Sequence, residues 1–249
     1  MQVAHMVFRK DDVPTPVYYQ LQVEIKDKIE NGEWAPGSMI PTERTFTDQY
    51  KVSIGTVKKA LTNLVNDGYL NRIQGKGTFV TGTSLRREKL RYYRLYEGFF
   101  DETTPIDVTL LDITILKGNS AINKNLKLKT NQNLFCVRRI LSSHTSPLIY
   151  SISYLAQKQF KGLDTLPKDT FEKELFYLML EAHFGIPTIF NRELISAVAA
   201  DKETAELLKV KKNTPLTHIE MLSYTYKEIP YEYRLSYCQT QSQKVFREY

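Results

Sequence analysis

Residues 40–80 read IPTERTFTDQYKVSIGTVKKALTNLVNDGYLNRIQGKGTFV. Thr42 is a suitable N-cap for a short helix that ends near Tyr50, with Glu43 in its first turn. Ser53 is a suitable cap for a second helix, which stops at Gly68. Its apolar residues recur at helical spacing: Val57, Ala60, Leu61, Leu64 and Val65. Two short helices joined by a tight turn predict a helix-turn-helix.

Two strand-like runs follow the second helix. Tyr69 to Ile73 and Thr78 to Val80 flank the glycine-containing tip 74–77, which predicts a hairpin. Before residue 40, the apolar spacing in 17–31 predicts another helix, starting after Pro16. Helices followed by a hairpin make a winged helix, in which the exposed start of the last helix can enter the major groove of DNA and the hairpin tip can lie along phosphates.

These landmarks resemble the signature of GntR-family bacterial transcription regulators over about 65 residues. The matching segments are Pro16 to Leu21, Gly32, Pro36-Gly37, Ile40 to Arg44, Val52-Ser53, Thr56 to Lys58, Ala60-Leu61, Leu64, Asp67-Gly68 and Gln74 to Val80. The resemblance implies a DNA-binding regulator, and it implies DNA contacts at Arg44, Ser53, Ile54, Gly55, Thr56, Lys58, Gln74, Gly75 and Lys76.

Two of these positions differ from the usual family pattern, because Ile54 and Lys58 stand where arginine is common. Arginine grips guanine with two hydrogen bonds, whereas isoleucine can only touch a thymine methyl and lysine binds less rigidly. We therefore expect an operator poorer in arginine-read guanine. A structural alternative stays open, in which Ser53 only caps its helix, Gly75 only serves the turn, and the lysines are solvated.

Charge favours a polyanionic partner for the N-terminal part of the chain. The protein has 249 residues and a formal net charge of +6, of which +5 lies in residues 1–94. The segment 82–94 is basic and lacks apolar periodicity, so it is predicted to be a linker that adds phosphate contacts or is simply solvated. We divide the chain into a flexible tail (1–12), a winged helix-turn-helix domain (13–81), the basic linker (82–94) and a C-terminal domain (95–249).

The C-terminal domain contains a weak internal repeat. Segments 126–128, 134–141 and 147–154 recur at 208–210, 216–223 and 230–237. Each copy predicts a short helix, the second one capped by Asp201, and then a long hairpin with alternating apolar residues. Further strands are predicted at 108–116 and 188–199, and one amphipathic helix over 171–184. Strands and helices in this order predict an α+β domain with an antiparallel sheet.

This second domain resembles the UTRA effector-binding domain of the histidine-utilisation-repressor branch of the GntR family. The matching elements are Arg138 to Ile140, Pro147-Leu148, Ser153 to Leu155, Glu193, Ser196-Ala197, Ala205, Leu208, Thr214 to Leu216 and Ile229 to Glu232. The resemblance implies a chorismate-lyase-like fold, dimerisation through this domain, and a small effector such as a sugar phosphate or carboxylate. It implies effector contacts at Arg139, Ser153, Tyr154 and Glu232.

The expected effector pocket departs from the family pattern at three places. Leu141 replaces the second arginine of the usual Arg-x-Arg pair, and Ser151 stands at a usual glutamate. The usual late Tyr-Arg-x-Asp motif is replaced by Cys238-Gln239-Thr240-Gln241. Loss of one guanidinium weakens a dianion clamp by about 1.5 to 3 kcal/mol. A structural alternative is an ion pair between Arg139 and Glu232 on the sheet.

The sequence predicts a homodimeric repressor, not an enzyme, that binds an inverted-repeat DNA operator and responds to a small metabolite. No run is long and apolar enough for a membrane span, and the two cysteines and four histidines lack metal-ligand spacing, so we expect a cytoplasmic protein without metal or cofactor. Two alternatives remain, a DNA-binding dimer without a ligand and a chorismate-lyase-like enzyme, although fold alone does not carry function.

Overall fold

A computed structural model describes residues 15–82, 94–96, 106–143, 146–240 and 244–246. The chain divides into two compact units, Met1–Leu85 and Arg86–Tyr249. The predicted tail (1–12) and almost all of the predicted linker (82–94) lie outside the described residues. The predicted domain boundaries therefore remain proposals.

The first unit has three helices and a two-stranded antiparallel sheet. In chain order these are α1 (Val17–Glu30), α2 (Glu43–Tyr50), α3 (Ile54–Asn66), β1 (Leu70–Ile73) and β2 (Gly77–Val80). The apolar stripe of α1 is buried against α3, which buries its own predicted apolar residues. Burial of these residues forms the core: Leu21, Ile25, Ile29, Phe46, Val57, Leu61 and Leu64.

Local chemistry sets the ends of the helices in the first unit. Thr42 and Ser53 cap α2 and α3 as predicted, accepting hydrogen bonds from the backbone N–H groups three residues on at 3.2 and 3.1 Å. The helix α2 ends at Tyr50, and the next residue, Lys51, adopts the left-handed conformation with φ 54° and starts the turn into α3. The predicted helix-turn-helix and hairpin are therefore both present.

The second unit is built around a six-stranded antiparallel sheet with strand order β4-β5-β6-β9-β8-β7. Its strands are β4 (Asp107–Leu116), β5 (Leu134–Ser143), β6 (Ser146–Ala156), β7 (Phe190–Ala199), β8 (Pro215–Thr225) and β9 (Ile229–Cys238). Its helices are α4 (Ser120–Asn125), α5 (Lys168–Lys173), α6 (Phe176–Phe184) and α7 (Lys202–Leu208). A separate pair of short strands, β3 (Arg94–Tyr96) and β10 (Lys244–Phe246), completes the described part.

The internal repeat appears as two copies of a strand-helix-strand-strand unit. The first copy is β4-α4-β5-β6 and the second is β7-α7-β8-β9. They meet at β6 and β9, where Ile152 pairs with its own repeat counterpart Leu235, so an approximate two-fold axis passes between them. Lys127 and Lys209, which are also counterparts, both adopt φ 54° after their helices. The two copies therefore share backbone detail as well as strand order.

Side chains alternate along each strand, so the sheet has two faces. Helices cover both of them. One face, here called the α4/α7 face, packs Ile140 and Tyr150 against α7 and packs Leu134 against α4. The opposite face, the α5/α6 face, packs Phe135 and Val137 against α5 and α6. The apolar core thus lies in two layers with the sheet between them.

The predicted single helix over 171–184 is wrong. The structure has two helices, α5 and α6, separated by Glu174 and Leu175 in extended conformations. In one continuous helix, Leu175 would share the apolar face and Phe176 would turn away from it. The break reverses this arrangement, since Leu175 is 47% exposed and Phe176 only 4%. Burial of the larger aromatic ring against the sheet is the physical reason for the break.

Candidate functional site

The start of α3 is exposed in the first unit. Ser53 caps it, and the Ser53 and Thr56 hydroxyl groups lie 2.9 Å apart. Ile54 is 47% exposed, and Gly55 and Lys58 are exposed beside it. The N-terminus of a helix carries unsatisfied N–H groups and a partial positive charge, so this surface attracts phosphate.

The tip of the β1–β2 hairpin is also exposed. Gln74, Gly75 and Lys76 are all exposed, and Gly75 adopts φ +73°, which a side chain rarely allows. The hairpin is tied to α2 by an ion pair between Arg72 Nη2 and Glu43 Oε1 at 3.1 Å. Arg72, an exposed cation on β1 of the hairpin, was not among the predicted DNA contacts. Its place two residues before the hairpin tip was the signal that could have included it.

Eight of the nine predicted DNA-contacting residues are exposed and one, Thr56, is half-buried. They occupy the outer surface of α2, the first turn of α3 and the hairpin tip: Arg44, Ser53, Ile54, Gly55, Thr56, Lys58, Gln74, Gly75 and Lys76. Their contact with DNA remains a prediction. We call these nine residues the DNA surface.

In the second unit, charged and hydroxyl side chains are buried together on the α5/α6 face. Of the four predicted effector residues, Arg139, Ser153 and Glu232 lie on this face, with exposures of 4%, 0% and 0%. Strand alternation places Tyr154 on the opposite face, where its ring stacks on Tyr233 at 6.2 Å. The structure therefore does not bring Tyr154 together with the other three, and its contact with an effector remains a prediction.

Sequence reasoning also missed Arg234, which is only 3% exposed. Its Nη2 and Nε atoms lie 2.7 and 2.8 Å from Glu232 Oε1, and Nε also lies 3.2 Å from Ser153 Oγ. Glu232 thus forms an ion pair with Arg234, a partner that the alternative interpretation, in which Glu232 pairs with Arg139, did not include. The alternation of Glu232, Arg234 and Ser236 along one strand was the signal that could have revealed it.

The remaining members of this cluster are buried serines. Ser223 Oγ donates to Glu232 Oε2 at 3.2 Å, and Ser151 is paired in register with both Arg139 and Ser236. We define the polar cluster as seven residues: Arg139, Ser151, Ser153, Ser223, Glu232, Arg234 and Ser236. The aromatic ring of Phe176 covers it, with its centroid 3.8 Å from Arg139 Cζ and 5.5 Å from Arg234 Cζ.

Such a cluster is costly within an apolar layer. Taking an ion out of water costs several kcal/mol, and an ion pair repays this only partly. Apolar residues of the same face surround the cluster, among them Val137, Leu155 and Met221. Buried charge that a well-packed apolar core would not need marks this face as the candidate ligand site.

Two further ionisable groups on the sheet, Cys238 and Tyr154, offer no charge to a ligand. Burial raises the pKa of Cys238 to about 12 and the pKa of Tyr154 to about 12, so both are neutral at physiological pH. Among the described residues, no group of three or more His, Cys, Asp or Glu side chains is arranged to hold a metal ion. No helix in the described ranges is long and apolar enough to cross a membrane.

A winged helix-turn-helix with an exposed helix start, joined in one chain to an α+β unit with a buried polar cluster, defines a DNA-binding regulator with a ligand-binding domain. Residues 17–80 match the family model "Bacterial regulatory proteins, gntR family", and residues 105–244 match the UTRA domain. The chain belongs to the GntR family, in its UTRA-containing branch.

Similar proteins agree with this assignment. The HTH-type transcriptional regulator YurK of Bacillus subtilis is 30% identical over 217 residues, covering 87% of this chain and 88% of YurK. The HTH-type transcriptional repressor NagR of the same organism is 26% identical, covering 90% of each chain. Among solved structures, the ligand-binding domain of a GntR-family transcriptional regulator from Bordetella bronchiseptica superimposes with a TM-score of 0.60 at 29% identity, covering 64% of this chain and 98% of that chain. The chain is thus a DNA-binding transcription regulator with an effector-binding UTRA domain.

Proposed function

We propose that this chain is a homodimeric repressor that binds an inverted-repeat operator through the DNA surface and changes its DNA affinity when a small anion binds the polar cluster. The exposed first turn of α3, which presents Gly55 and Lys58 beside the Ser53 cap, carries the DNA-binding part of the proposal. A helix start of this kind offers N–H groups and cationic side chains to phosphates and base edges.

The DNA-binding part is tested with the Lys58→Ala variant. Each phosphate contact that is lost lowers the slope of log affinity against log salt by about 0.9. We expect Lys58→Ala to weaken binding and flatten this slope, measured by fluorescence anisotropy on duplex DNA flanking the protein's own gene. Lys212→Ala removes an exposed lysine of the second unit and serves as the control. Equal slopes for both variants and the unmodified protein would contradict the proposal.

An edge strand supports the homodimer. Strand β7 lies at one edge of the six-stranded sheet and exposes Leu194 (71%) and Ile195 (60%) on opposite faces. Exposed apolar side chains and unpaired backbone groups on an edge favour pairing with a second copy about a two-fold axis. We expect Leu194→Lys to shift the protein to a monomer in light scattering. Ile115→Lys, at a 50% exposed residue of the opposite edge strand β4, should leave the dimer intact.

Effector response requires that the small molecule bind more tightly to one arrangement of the protein than to the other. We infer that release from DNA follows ligand binding to the polar cluster, because buried charge is more typical of functional sites than of apolar cores. A regulator of this kind acts in the cytoplasm, where the DNA is, and has no enzymatic turnover. Turnover of small aromatic acids would support the enzyme alternative, and a ligand panel without any melting shift would support the ligandless dimer.

A further inference from the structure

We propose that Arg234 is the second anion-binding arginine of the effector site, so that Arg139 and Arg234 together hold the carboxylate or phosphate group of the effector. This inference rests on the proposed function and names the chemistry of its ligand. It assigns Arg234 a role that the motif pattern of the sequence does not indicate. Glu232 is the positioning residue for Arg234.

Sheet register brings the two guanidinium groups to the same place from different strands. Arg139 on β5 is paired with Ser151 on β6, and Ser153, two residues further along β6, is paired with Arg234 on β9. Because side chains alternate along β6, both pairs, Arg139 with Ser151 and Ser153 with Arg234, lie on the α5/α6 face. The carbon atoms Cζ of both arginines lie within 6 Å of one ring centroid, that of Phe176. Both guanidinium groups therefore lie beside the same aromatic ring.

Arg234 lies on β9, in the copy of the repeat that does not contain Arg139. Arg234 is the repeat counterpart of Ser151, the neighbour of Arg139 across the β5–β6 ladder. Leu141, two residues after Arg139 on the same strand, packs among apolar residues with Leu148 and Ile149. Leu141 offers no guanidinium, so in the proposed pair the second one comes from Arg234 in the other copy of the repeat.

The orientation of Arg234 is fixed before any ligand arrives. Glu232 Oε1 accepts a hydrogen bond from Nε at 2.8 Å and lies 2.7 Å from Nη2 in the ion pair, and Ser223 Oγ donates to the other carboxylate oxygen. A guanidinium carries five N–H donors in a rigid fork, so it can bind more than one acceptor at a time. Preorganised donors in a water-excluded site bind an anion more strongly than the same donors in water.

Hydroxyl groups define the rest of the ligand. Ser151 is 1% exposed, and its Oγ has no hydrogen-bond partner among the described residues. Ser153 and Ser236 lie next to it on the same face, both fully buried. Hydroxyls of this density suit a ligand with hydroxyl groups of its own. The geometry therefore points to a small hydroxylated anion, either a carboxylate or a phosphate monoester.

The experiment uses the full chain with three probes at millimolar concentration and constant ionic strength: inorganic phosphate, D-gluconate and neutral D-glucose. Calorimetry gives the affinities and a melting curve confirms folding. We expect the unmodified protein to bind phosphate or gluconate, but not glucose, and the anion that binds more tightly identifies the group. Arg234→Gln should lower that affinity roughly 10- to 100-fold. Arg234→Lys should retain part of it, because it keeps the charge.

The control is Arg192→Gln. Arg192 lies on β7, its side chain is 63% exposed, and it stacks over Phe190 and Tyr224 away from the polar cluster. This variant should bind the anion as the unmodified protein does. Should Arg234→Gln fail to fold, the decision rests on Arg234→Lys, for which an affinity equal to that of the unmodified protein for both anions overturns the inference.

Glu232 is tested through its coupling to Arg234. Glu232→Gln should weaken anion binding, and Glu232→Asp should restore part of it. In the Arg234→Lys background, Glu232→Gln should have a much smaller effect, because the fork that it orients is gone. Additive losses would show that Glu232 acts only through the stability of the sheet, and this would overturn its assignment.

The outcomes separate this inference from the proposed function. If the unmodified protein binds neither anion, or if a folded Arg234→Gln variant binds anions as the unmodified protein does, the inference is wrong. The same preparations are assayed on duplex DNA. If the unmodified protein does not bind DNA, the proposed function is wrong. If it binds DNA but substitutions of Arg234 do not change its affinity for anions, only this inference is wrong.

Discussion

Substitution of Gly55 by alanine should change stability and DNA affinity in opposite directions. Gly55 is the second residue of α3, and a Cβ atom added there would lie 3.8 Å from its nearest neighbour, Ser53 Oγ. This is ordinary van der Waals contact, so the free protein accommodates the methyl group without strain. The substitution removes backbone freedom from the unfolded chain, which stabilises by about 0.4 to 1 kcal/mol.

The magnitudes follow from the size of the unit and the nature of the contact. For a domain of this size, 1 kcal/mol raises the melting temperature by roughly 4 to 8 °C. In the complex, the same methyl group holds the start of α3 away from the duplex. Loss of one charge-assisted hydrogen bond costs about 1.5 to 3 kcal/mol, which lowers DNA affinity by about tenfold or more.

Stability is measured by a melting curve of the first unit, and DNA affinity by fluorescence anisotropy on duplex DNA flanking the protein's own gene. Thr62→Ala is the matched control, because Thr62 is an exposed residue of the same helix and alanine also raises helix propensity there. The control should be stabilised slightly and bind DNA normally. A stabilised Gly55→Ala variant with unchanged DNA affinity would show that the start of α3 does not approach the duplex closely.

Three further predictions concern single positions. Gly118→Ala would place a Cβ atom 2.2 Å from the Thr130 carbonyl oxygen, so it should destabilise the second unit by about 1 to 3 kcal/mol, seen as a lower urea midpoint. Ile54→Arg should move the preferred operator toward guanine in a selection from random duplexes, and an unchanged preference would remove Ile54 from base readout. Asp201 caps α7 through the Thr204 N–H at 2.7 Å, which lowers its pKa below the ordinary 3.8. Its stabilisation is therefore present above pH 3.8 and is lost as the pH falls through the lowered pKa, so Asp201→Asn, which retains a cap, should show a weaker loss of stability in acid than the unmodified protein.

The elements of the first unit were predictable because each has a local cause. Capping hydroxyls at Thr42 and Ser53, the apolar period of α3 and the glycine at 75 all act within a few residues, and the structure places each one as expected. The repeated helix and hairpin of the second unit were predictable as well, because similar segments occur twice in the sequence.

The polar cluster was only partly predictable, because it depends on strand register. Tyr154 follows Ser153 directly on a predicted strand, so alternation already implies that they face opposite layers, and the family resemblance that grouped them takes no account of faces. The position of Arg234 beside Ser153 follows from the pairing of β9 with β6, and no local sequence pattern predicts which strands are neighbours. The break before Phe176 depends on burial against the sheet, and the helical period alone gave the wrong answer there.

Footprinting tests the central claim most directly, namely that the DNA surface of this chain binds a two-fold symmetric operator. The purified protein is incubated with the DNA flanking its own gene and probed with hydroxyl radicals in dilute buffer. The account predicts two protected half-sites in inverted orientation, about 10 base pairs or a multiple of this apart, and loss of both in the Lys58→Ala variant as salt is raised. Absence of protection even in dilute buffer, or protection that the Lys58→Ala variant reproduces at every salt concentration, would contradict it.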